Sequence, residues 1–287
     1  MSYFGKTKGC LRRRLLRRVL TGLLAGSLLS AFVGCTTIKI PSNGIPSTGS
    51  STGLTGNWQF QVTPTTGPTP FTSLSGFIDE LNEDPGVNDS ATATLQAQSS
   101  TCFVDTTLIP LQGTVKDTQL SLYSFSIVNQ FVSITATEDS TATHMTGTYT
   151  IGGGCANGAA GTLAGTEYAP LTGGYAGGIA GDTPEKTLNL NLSQLTQGSG
   201  DGTFLVSGSA TFSGFSCFTE GTLASMGSFV SGSSVNLTFN TDDVSDAQLL
   251  LAGTIDTAAD TLTLSSIRVT GGVCSGSAGG ATLTRTP

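Results

Sequence analysis

The chain has 287 residues, enough for one or two domains, and glycine, serine and threonine supply 39, 33 and 46 of them. Only 31 residues are charged, one is histidine, and the formal net charge is −7. This composition excludes a coiled coil or helix bundle, which needs long runs of Ala, Glu, Lys and Leu. It also excludes a basic nucleic-acid-binding protein and a metal site built from several histidines.

The first 34 residues have the organisation of a signal peptide. Seven basic residues lie between Lys6 and Arg18, and an apolar run of fifteen residues follows, from 19 to 33. This run is shorter than the roughly 20 residues of a membrane-spanning helix. The run Arg12 to Arg17 resembles a twin-arginine export signal, although an ordinary basic segment of a Sec signal fits equally well.

The apolar run ends in Phe32-Val33-Gly34-Cys35. This resembles the lipobox of bacterial lipoproteins, in which a small residue precedes a cysteine that becomes the acylated N-terminus. Gly34 and Cys35 fit the pattern, whereas Phe32 stands where Leu is usual. The resemblance implies lipidation of Cys35, palmitate included. The alternative is a cysteine that merely ends a signal peptide or an anchor helix.

Residues 35–53 are predicted to be the lipidated cysteine and a flexible tether. The segment from Thr36 to Gly53 is rich in Ser, Thr, Gly and Pro and cannot bury enough apolar surface to fold. Such a tether spans about 25 Å on average. Thr36, where Asp would signal retention under the sorting rule of enteric bacteria, implies an outer-membrane anchor facing the periplasm or the cell surface.

Without its signal peptide the chain is strongly acidic. Seven of its twelve basic residues lie in the signal, and five remain against nineteen carboxylates, a formal charge of −14. This charge favours solubility and disfavours nucleic acid or bare anionic lipid as partners.

Four landmarks recur in order at offsets of 115 to 120 residues, which predicts two copies of one domain, at 54–169 and 170–287. The first-half landmarks are Leu54-Thr55-Gly56-Asn57-Trp58, Cys102-Phe103, Gly152-Gly153-Gly154-Cys155 and Thr162-Leu163. Their second-half counterparts are Leu171-Thr172-Gly173-Gly174-Tyr175, Cys217-Phe218, Gly271-Gly272-Val273-Cys274 and Thr282-Leu283.

Each repeat holds two cysteines, and an exported chain occupies a compartment in which disulfides persist. Four cysteines allow three connectivities, and the repeat selects Cys102–Cys155 with Cys217–Cys274. A zinc site built from the four thiolates is disfavoured, because no C-x-x-C spacing is present and the cysteines are divided between the repeats.

Alternation of apolar and polar residues dominates both halves and predicts an all-β fold. The first half divides into about eight strands, near 57–63, 74–81, 91–98, 109–116, 119–127, 130–138, 144–151 and 161–168. Short connections predict an antiparallel meander in each repeat, which forms a small closed barrel, a flattened barrel or a sandwich. The pattern leaves open whether the repeats are separate barrels or share one sheet.

The opening Gly56-Asn57-Trp58 resembles the G-x-W start of lipocalins and their avidin-like relatives, and Thr146-Gly147-Thr148-Tyr149 resembles a later strand of that superfamily. Tyr175 replaces the tryptophan in the second copy. The resemblance implies calycin-like barrels and a small apolar ligand. A tryptophan that merely caps the barrel core explains Trp58 without a ligand. The whole arrangement resembles duplicated bacterial lipoproteins, which implies no particular activity.

We predict no catalytic residues, metal or cofactor. His144 lies in an alternating strand without a G-x-S-x-G motif and has no counterpart in the second repeat. Asp79 and Glu80 point to opposite faces of one strand, whereas a glycosidase needs two carboxylates across a cleft. The acidic segments Asp242 to Asp246 and Glu83-Asp84 with Asp89 lack the EF-hand spacing for calcium. The glycines 152–154 are predicted to form a turn.

The strand aromatics are expected to lie mostly in the core, although a row lining a cavity would look the same. They are Trp58, Phe60, Phe77, Tyr123, Phe125, Phe131 and Tyr149 in the first repeat, and Tyr175, Phe204, Phe212, Phe215, Phe218, Phe229 and Phe239 in the second.

The leading functional prediction is a non-enzymatic cell-envelope lipoprotein that serves as a structural or protein-interaction module. The alternative is a lipocalin-like binder of a small apolar ligand, and a hydrolase on a β scaffold ranks third. An outer-membrane pore is excluded, because the strands lack a lipid-facing apolar band flanked by aromatic girdles.

Overall fold

The computed structural model describes residues 53–81, 88–104, 107–179, 181, 185–272 and 274–287. The predicted signal peptide, Cys35 and nearly all of the predicted tether lie outside these ranges. The described residues form an all-β structure, as the alternation predicts. Its strands are β1 (Gly56–Thr66), β2 (Ser73–Glu80), β3 (Asn88–Gln98), β4 (Leu108–Lys116), β5 (Gln119–Ser124), β6 (Phe131–Glu138), β7 (His144–Gly152), β8 (Ala160–Tyr168), β9 (Gly173–Gly178), β10 (Thr187–Gln194), β11 (Phe204–Ser213), β12 (Glu220–Leu223), β13 (Phe229–Ser231), β14 (Ser234–Thr241), β15 (Gln248–Ile255), β16 (Thr261–Thr270), β17 (Gly276–Ala278) and β18 (Ala281–Thr286).

Strands β1 to β8 form a closed antiparallel barrel, which we call barrel 1. Each strand pairs with the next along the chain, and β1 pairs with β8 to close the ring. Strand β6 shows why the sequence folds this way, because Val132, Ile134 and Ala136 are buried while the residues between them are exposed. The prediction of an eight-stranded meander is confirmed, and of the predicted architectures it is the closed barrel that forms.

Strands β9 to β18 form a second closed ring, which we call barrel 2. The pairing of β10 with β11 completes the ring. The short strands β12 and β13 share one position between β11 and β14, and β17 and β18 both pair with β16. The ring therefore has eight strand positions, as in barrel 1, and the two repeats form separate barrels.

The repeat is visible in atomic detail at the start of each barrel. The backbone N–H of Leu54 donates to Glu80 Oε2 at 3.2 Å, and that of Leu171 donates to Gln194 Oε1 at 2.9 Å. Trp58 is fully buried, and its Nε1 donates to the Leu54 carbonyl at 2.9 Å. Trp58 therefore closes one end of the core, which is the simpler of the two explanations that the sequence left open for it.

Apolar side chains form a core inside each barrel, as expected where eight strands enclose a space just wide enough for them. The largest fully buried side chains of barrel 1 are Leu54, Trp58, Phe60, Phe71, Leu74, Ile78, Leu95, Phe103, Ile109 and Tyr149. Barrel 2 has its own apolar cluster of the same kind. We call the end of each barrel that carries the disulfide the disulfide end, and the opposite end the N-terminal end.

The two barrels belong to one compact unit and contact each other directly. Asn57, on the outer face of β1, donates from Nδ2 to the Gly232 carbonyl at 2.8 Å and accepts from the Gly232 N–H at 2.6 Å. The hydroxyls of Ser75 and Ser231 lie 3.0 Å apart beside this pair. Gly232 has φ +55°, and a Cβ there would lie 2.9 Å from Gln59 Cβ, so the contact requires glycine.

Candidate functional site

The disulfide end of barrel 1 is closed by the loop between β3 and β4. Cys102 and Cys155 lie at disulfide distance, with Cα atoms 5.5 Å apart, and hold this loop to the one between β7 and β8. Phe103 packs beneath the bond, and its ring and that of Tyr149 lie 5.8 and 5.5 Å from the ring of Phe71. Three aromatic rings therefore fill this end.

A buried amide holds the closing loops together. Gln130 Nε2 donates to the Cys102 carbonyl at 3.3 Å, and Gln130 Oε1 accepts from the Ala156 N–H at 2.9 Å. Gly153 and Gly154 have φ of +78° and +57°, so the glycines before Cys155 form the predicted turn.

The disulfide end of barrel 2 is built differently. Cys217 and Cys274 lie at disulfide distance, with Cα atoms 6.1 Å apart, so both pairs that the repeat predicts are brought together. By strand register, however, Ile267 occupies the position of Tyr149. The exposed Glu185 precedes β10 by two residues, as the buried Phe71 precedes β2.

A cavity of about 360 Å³ lies at this end of barrel 2. Its inner wall includes Ile267 and Val269, which face the barrel interior. Phe215 forms one side, stacks on Phe218 at 4.8 Å, and lies 5.5 Å from Lys186 Nζ. Small polar residues, Ser275 and Ser277 among them, complete the lining, and small-molecule sites likewise combine apolar and polar groups.

A second candidate surface is the hairpin between β5 and β6. We call residues Tyr123 to Phe131 the aromatic hairpin. Phe125 is 64 % exposed, Val128 71 %, Phe131 53 % and Tyr123 49 %. For Tyr123, Phe125 and Phe131 the expectation of core burial is therefore wrong. Leu120 and Leu122 face the interior, so the odd-numbered residues that follow in β5 face outward.

The corresponding hairpin of barrel 2 is polar. Phe125 and Phe131 lie two residues closer to the turn than the paired residues Tyr123 and Ser133. The equivalent positions in barrel 2 are Asn240 and Gln248. These two amides hydrogen-bond each other at 2.9 Å. The tip beyond them is the acidic segment 242–246, which is largely exposed. Val244 is the one large apolar side chain exposed on that hairpin, so a group of such side chains is found on the hairpin of barrel 1.

The residues weighed for catalysis are not brought together. His144 lies on the outer face with its side chain 60 % exposed, and its Nδ1 is 3.5 Å from Asp139 Oδ2. Within the described ranges no group of three His, Cys, Asp or Glu side chains is arranged to hold a metal ion. Asp79 and Glu80 point to opposite faces of β2. Glu83 and Asp84 lie outside the described residues, and Asp89 is buried.

The described part of the chain contains no helix long and apolar enough to span a membrane. Comparison of the chain with protein-family models, with curated proteins and with solved structures gives no match. The surfaces described above are therefore the basis for a functional assignment.

Proposed function

We propose that this protein is a non-enzymatic cell-envelope lipoprotein, anchored through Cys35 in the outer membrane, that binds another protein through the aromatic hairpin. The observation that supports this proposal most strongly is the exposure of four large apolar side chains together on one hairpin. Exposed apolar residues scattered singly are ordinary, whereas a contiguous group marks an interaction site. Aromatic side chains are also those that contribute most to protein interfaces.

The closed ring limits how a partner can bind. Each strand of barrel 1 is paired on both sides, because β1 closes on β8. A closed barrel offers no free edge to which a partner strand could be added. The partner must therefore pack against side chains, and the outward-facing Phe125 and Phe131 supply the apolar contact.

The position of the hairpin favours a protein over a lipid surface. Residue 54 lies at the N-terminal end of barrel 1, whereas the hairpin between β5 and β6 lies at the disulfide end. A strand of nine residues spans about 30 Å, so a tether leading to Cys35 leaves from the opposite end of the barrel. The acidic charge also disfavours anionic lipid. Residue 54 and the hairpin thus lie at opposite ends of barrel 1, which supports an apolar surface of another envelope protein as the occupant of the hairpin.

The test begins with photo-crosslinking in cells from position 125 or 131, with positions 240 and 248 as the matched controls in barrel 2. The crosslinked protein is identified and purified, and its affinity for the full chain is measured. Phe125→Asn with Phe131→Gln, which introduces the residues of barrel 2, should weaken binding at least tenfold. Leu195→Ser with Met226→Ser removes exposed apolar side chains elsewhere and should leave the affinity unchanged.

Equal crosslinking from the two hairpins, or equal loss of affinity in the two double variants, would refute the docking surface. Crosslinks to lipid alone from position 125 would instead assign the hairpin to the membrane.

A second candidate function is supported by the cavity of barrel 2. Its volume of about 360 Å³ and its inner wall of Ile267 and Val269 fit a small apolar ligand. Native mass spectrometry of the full chain should show an extra mass that is lost on denaturation. Ile267→Tyr, which places the residue of barrel 1 in the cavity, should abolish that mass, whereas Leu195→Ser should retain it. If the parent chain shows only the mass of the polypeptide in every preparation, that result would count against this function.

A further inference from the structure

Three carboxylates face the interior at the N-terminal end of barrel 1. Glu80 ends β2, Glu138 ends β6 and Glu167 lies near the end of β8. Each continues the inward-facing alternation of its strand, two residues beyond Ile78, Ala136 and Gly165 respectively. The three are distant in sequence and lie at the same end of the interior because the barrel closes.

Glu138 is the most enclosed of the three. Only 8 % of it is exposed, and its Oε1 is buried without a hydrogen-bond partner in the structure. Burying a carboxylate oxygen without a partner costs several kcal/mol, on the order of a lost charged hydrogen bond or more. A partner that donates a hydrogen bond and carries positive charge would remove that cost.

Neither of the described basic side chains of barrel 1 is such a partner. Among the described residues of this barrel the basic side chains are Lys116 and His144. Lys116 is exposed and follows the inward-facing Val115, so it points outward. His144 lies on the outer face beside Asp139. Among the described residues, Glu138 therefore has no inward-facing basic side chain as its partner.

Their mutual repulsion affects protonation. Burial, and then the charges of Glu80 and Asp139, raise the pKa of Glu138 to about 7. Burial, and then the charge of Glu138, raise the pKa of Glu167 to about 7. Near neutral pH the cluster is thus partly protonated, and a bound cation would favour its fully ionised form.

Barrel 2 shows that the fold does not require acids at these positions. Gln194 replaces Glu80 and accepts the same type of backbone hydrogen bond, from Leu171. Ile255 replaces Glu138 at the end of β15, and it is buried. Arg285 pairs with Tyr175 in the register in which Glu167 pairs with Trp58. An amide, an aliphatic side chain and a guanidinium therefore occupy the equivalent end.

We propose that the N-terminal end of barrel 1 binds the ammonium group of a small primary amine between Glu80, Glu138 and Glu167. An ammonium donates three hydrogen bonds over about 2.7 to 3.2 Å, and Glu138 Oε1 is an acceptor without a donor. Calcium requires several oxygens at about 2.3 to 2.6 Å. The described carboxylates do not form such a group, which favours the amine over a metal ion.

The test is calorimetric titration of the full chain, with both disulfides formed, at pH 7.0 and low salt. The probes are cadaverine, its uncharged analogue 1,5-pentanediol and Ca²⁺. Cadaverine should bind at one site per chain and release protons, as judged from buffers of different ionisation heat, because the ammonium lowers the pKa of Glu138 and Glu167. Pentanediol and Ca²⁺ should not bind at that site.

Charge-matched variants separate this site from general attraction to an acidic protein. Glu80→Gln, Glu138→Gln and Glu167→Gln together should weaken cadaverine binding at least tenfold and abolish proton release. Asp117→Asn, Glu220→Gln and Asp246→Asn remove the same charge from exposed positions and should leave both unchanged. Glu167→Gln alone, a milder change, should weaken binding by a smaller factor if the triple variant does not fold.

Absence of saturable cadaverine binding to the parent chain would overturn the proposal. An equal loss in the two triple variants would do the same, since it would show nonspecific attraction. Tighter binding of Ca²⁺, competing with cadaverine, would replace the amine site with a metal site.

Discussion

Barrels 1 and 2 have the same strand arrangement but differ in the residues that occupy their ends. At the disulfide end, Phe71 and Tyr149 help to fill barrel 1, whereas in barrel 2 Ile267 stands in place of Tyr149 and lines a cavity. Both ends keep the phenylalanine that follows the first cysteine, Phe103 or Phe218, buried. The comparison shows that the strand alternation maintains the barrel, while a few residues at its rim decide whether that end is packed or hollow.

The same contrast holds at two other places. The hairpin beyond β5 carries Phe125 and Phe131 in barrel 1 but an amide pair in barrel 2. The N-terminal end carries carboxylates in barrel 1 but Gln194 and Arg285, among others, in barrel 2. One duplicated scaffold therefore presents an apolar and an acidic feature on its first copy and a cavity on its second.

The largest expected effect is on the shared feature, the disulfides. Cys102→Ser with Cys155→Ser opens a bond between residues 53 apart, and Cys217→Ser with Cys274→Ser opens one between residues 57 apart. Each change should lower the free energy of unfolding by about 4 kcal/mol, because loops of similar length lose similar chain entropy. Denaturant unfolding of the two variants measures this. A loss of stability in only one of the two variants would show that the two disulfide ends are not equivalent.

The next effect concerns the contact between the barrels, which is asymmetric. Asn57 lies at the interface, and its register equivalent in barrel 2 is Gly174. Asn57→Ala should cost about 1 to 3 kcal/mol, because it leaves both polar groups of the Gly232 backbone without their partner. Denaturant unfolding, with the exposed Ser121→Ala as control, measures the cost. Equal stability of these two variants would show that the barrels fold without this contact.

A smaller effect is the pH dependence of barrel 1. The pKa values of Glu138 and Glu167 are raised from 4.5 to about 7, so the folded state binds protons more tightly than the unfolded one. Their contribution to stability is fully present below about pH 4.5 and is lost as the pH rises through about 7. Urea midpoints at pH 4.5 and 8 should differ less in Glu138→Gln with Glu167→Gln than in the parent chain. An equal difference in the two proteins would contradict the assignment.

The smallest effect on stability is expected at the aromatic hairpin. Phe125→Asn with Phe131→Gln should change the free energy of unfolding by no more than about 0.5 kcal/mol, because these side chains are exposed. Thermal unfolding measures it, with the buried Ile134→Ala as a destabilised reference at about 2 to 5 kcal/mol. A loss comparable to that of Ile134→Ala would show that the two rings belong to the core.

Much of this architecture could be predicted from the sequence, because alternation reports directly on which side of a sheet is buried. The pattern around Val132 and Ile134 predicts an inward face, and the repeated Cys-Phe pairs predict the two disulfides. The exposure of Phe125 could also be predicted from that pattern, because Phe125 lies an odd number of residues from the inward-facing Leu120 and Leu122. Composition alone, which places aromatics in cores, gave the wrong expectation.

The candidate sites could not be predicted in the same way. Glu80, Glu138 and Glu167 come together through strand register and barrel closure, which no short window of sequence contains. The cavity of barrel 2 is lined by Ile267 where barrel 1 has Tyr149, and this difference is visible only after the two barrels are aligned by structure. Asn57 meets Gly232 across 175 residues, so local patterning carries no signal for it.

The most direct test of the central claim compares the two hairpins within one molecule. Hydrogen exchange of the full chain is measured with and without the protein identified by crosslinking. The proposed function predicts slower exchange in residues 120–134 and unchanged exchange in residues 235–251. Protection of the second segment, or of neither, would contradict the assignment of the aromatic hairpin as the binding surface.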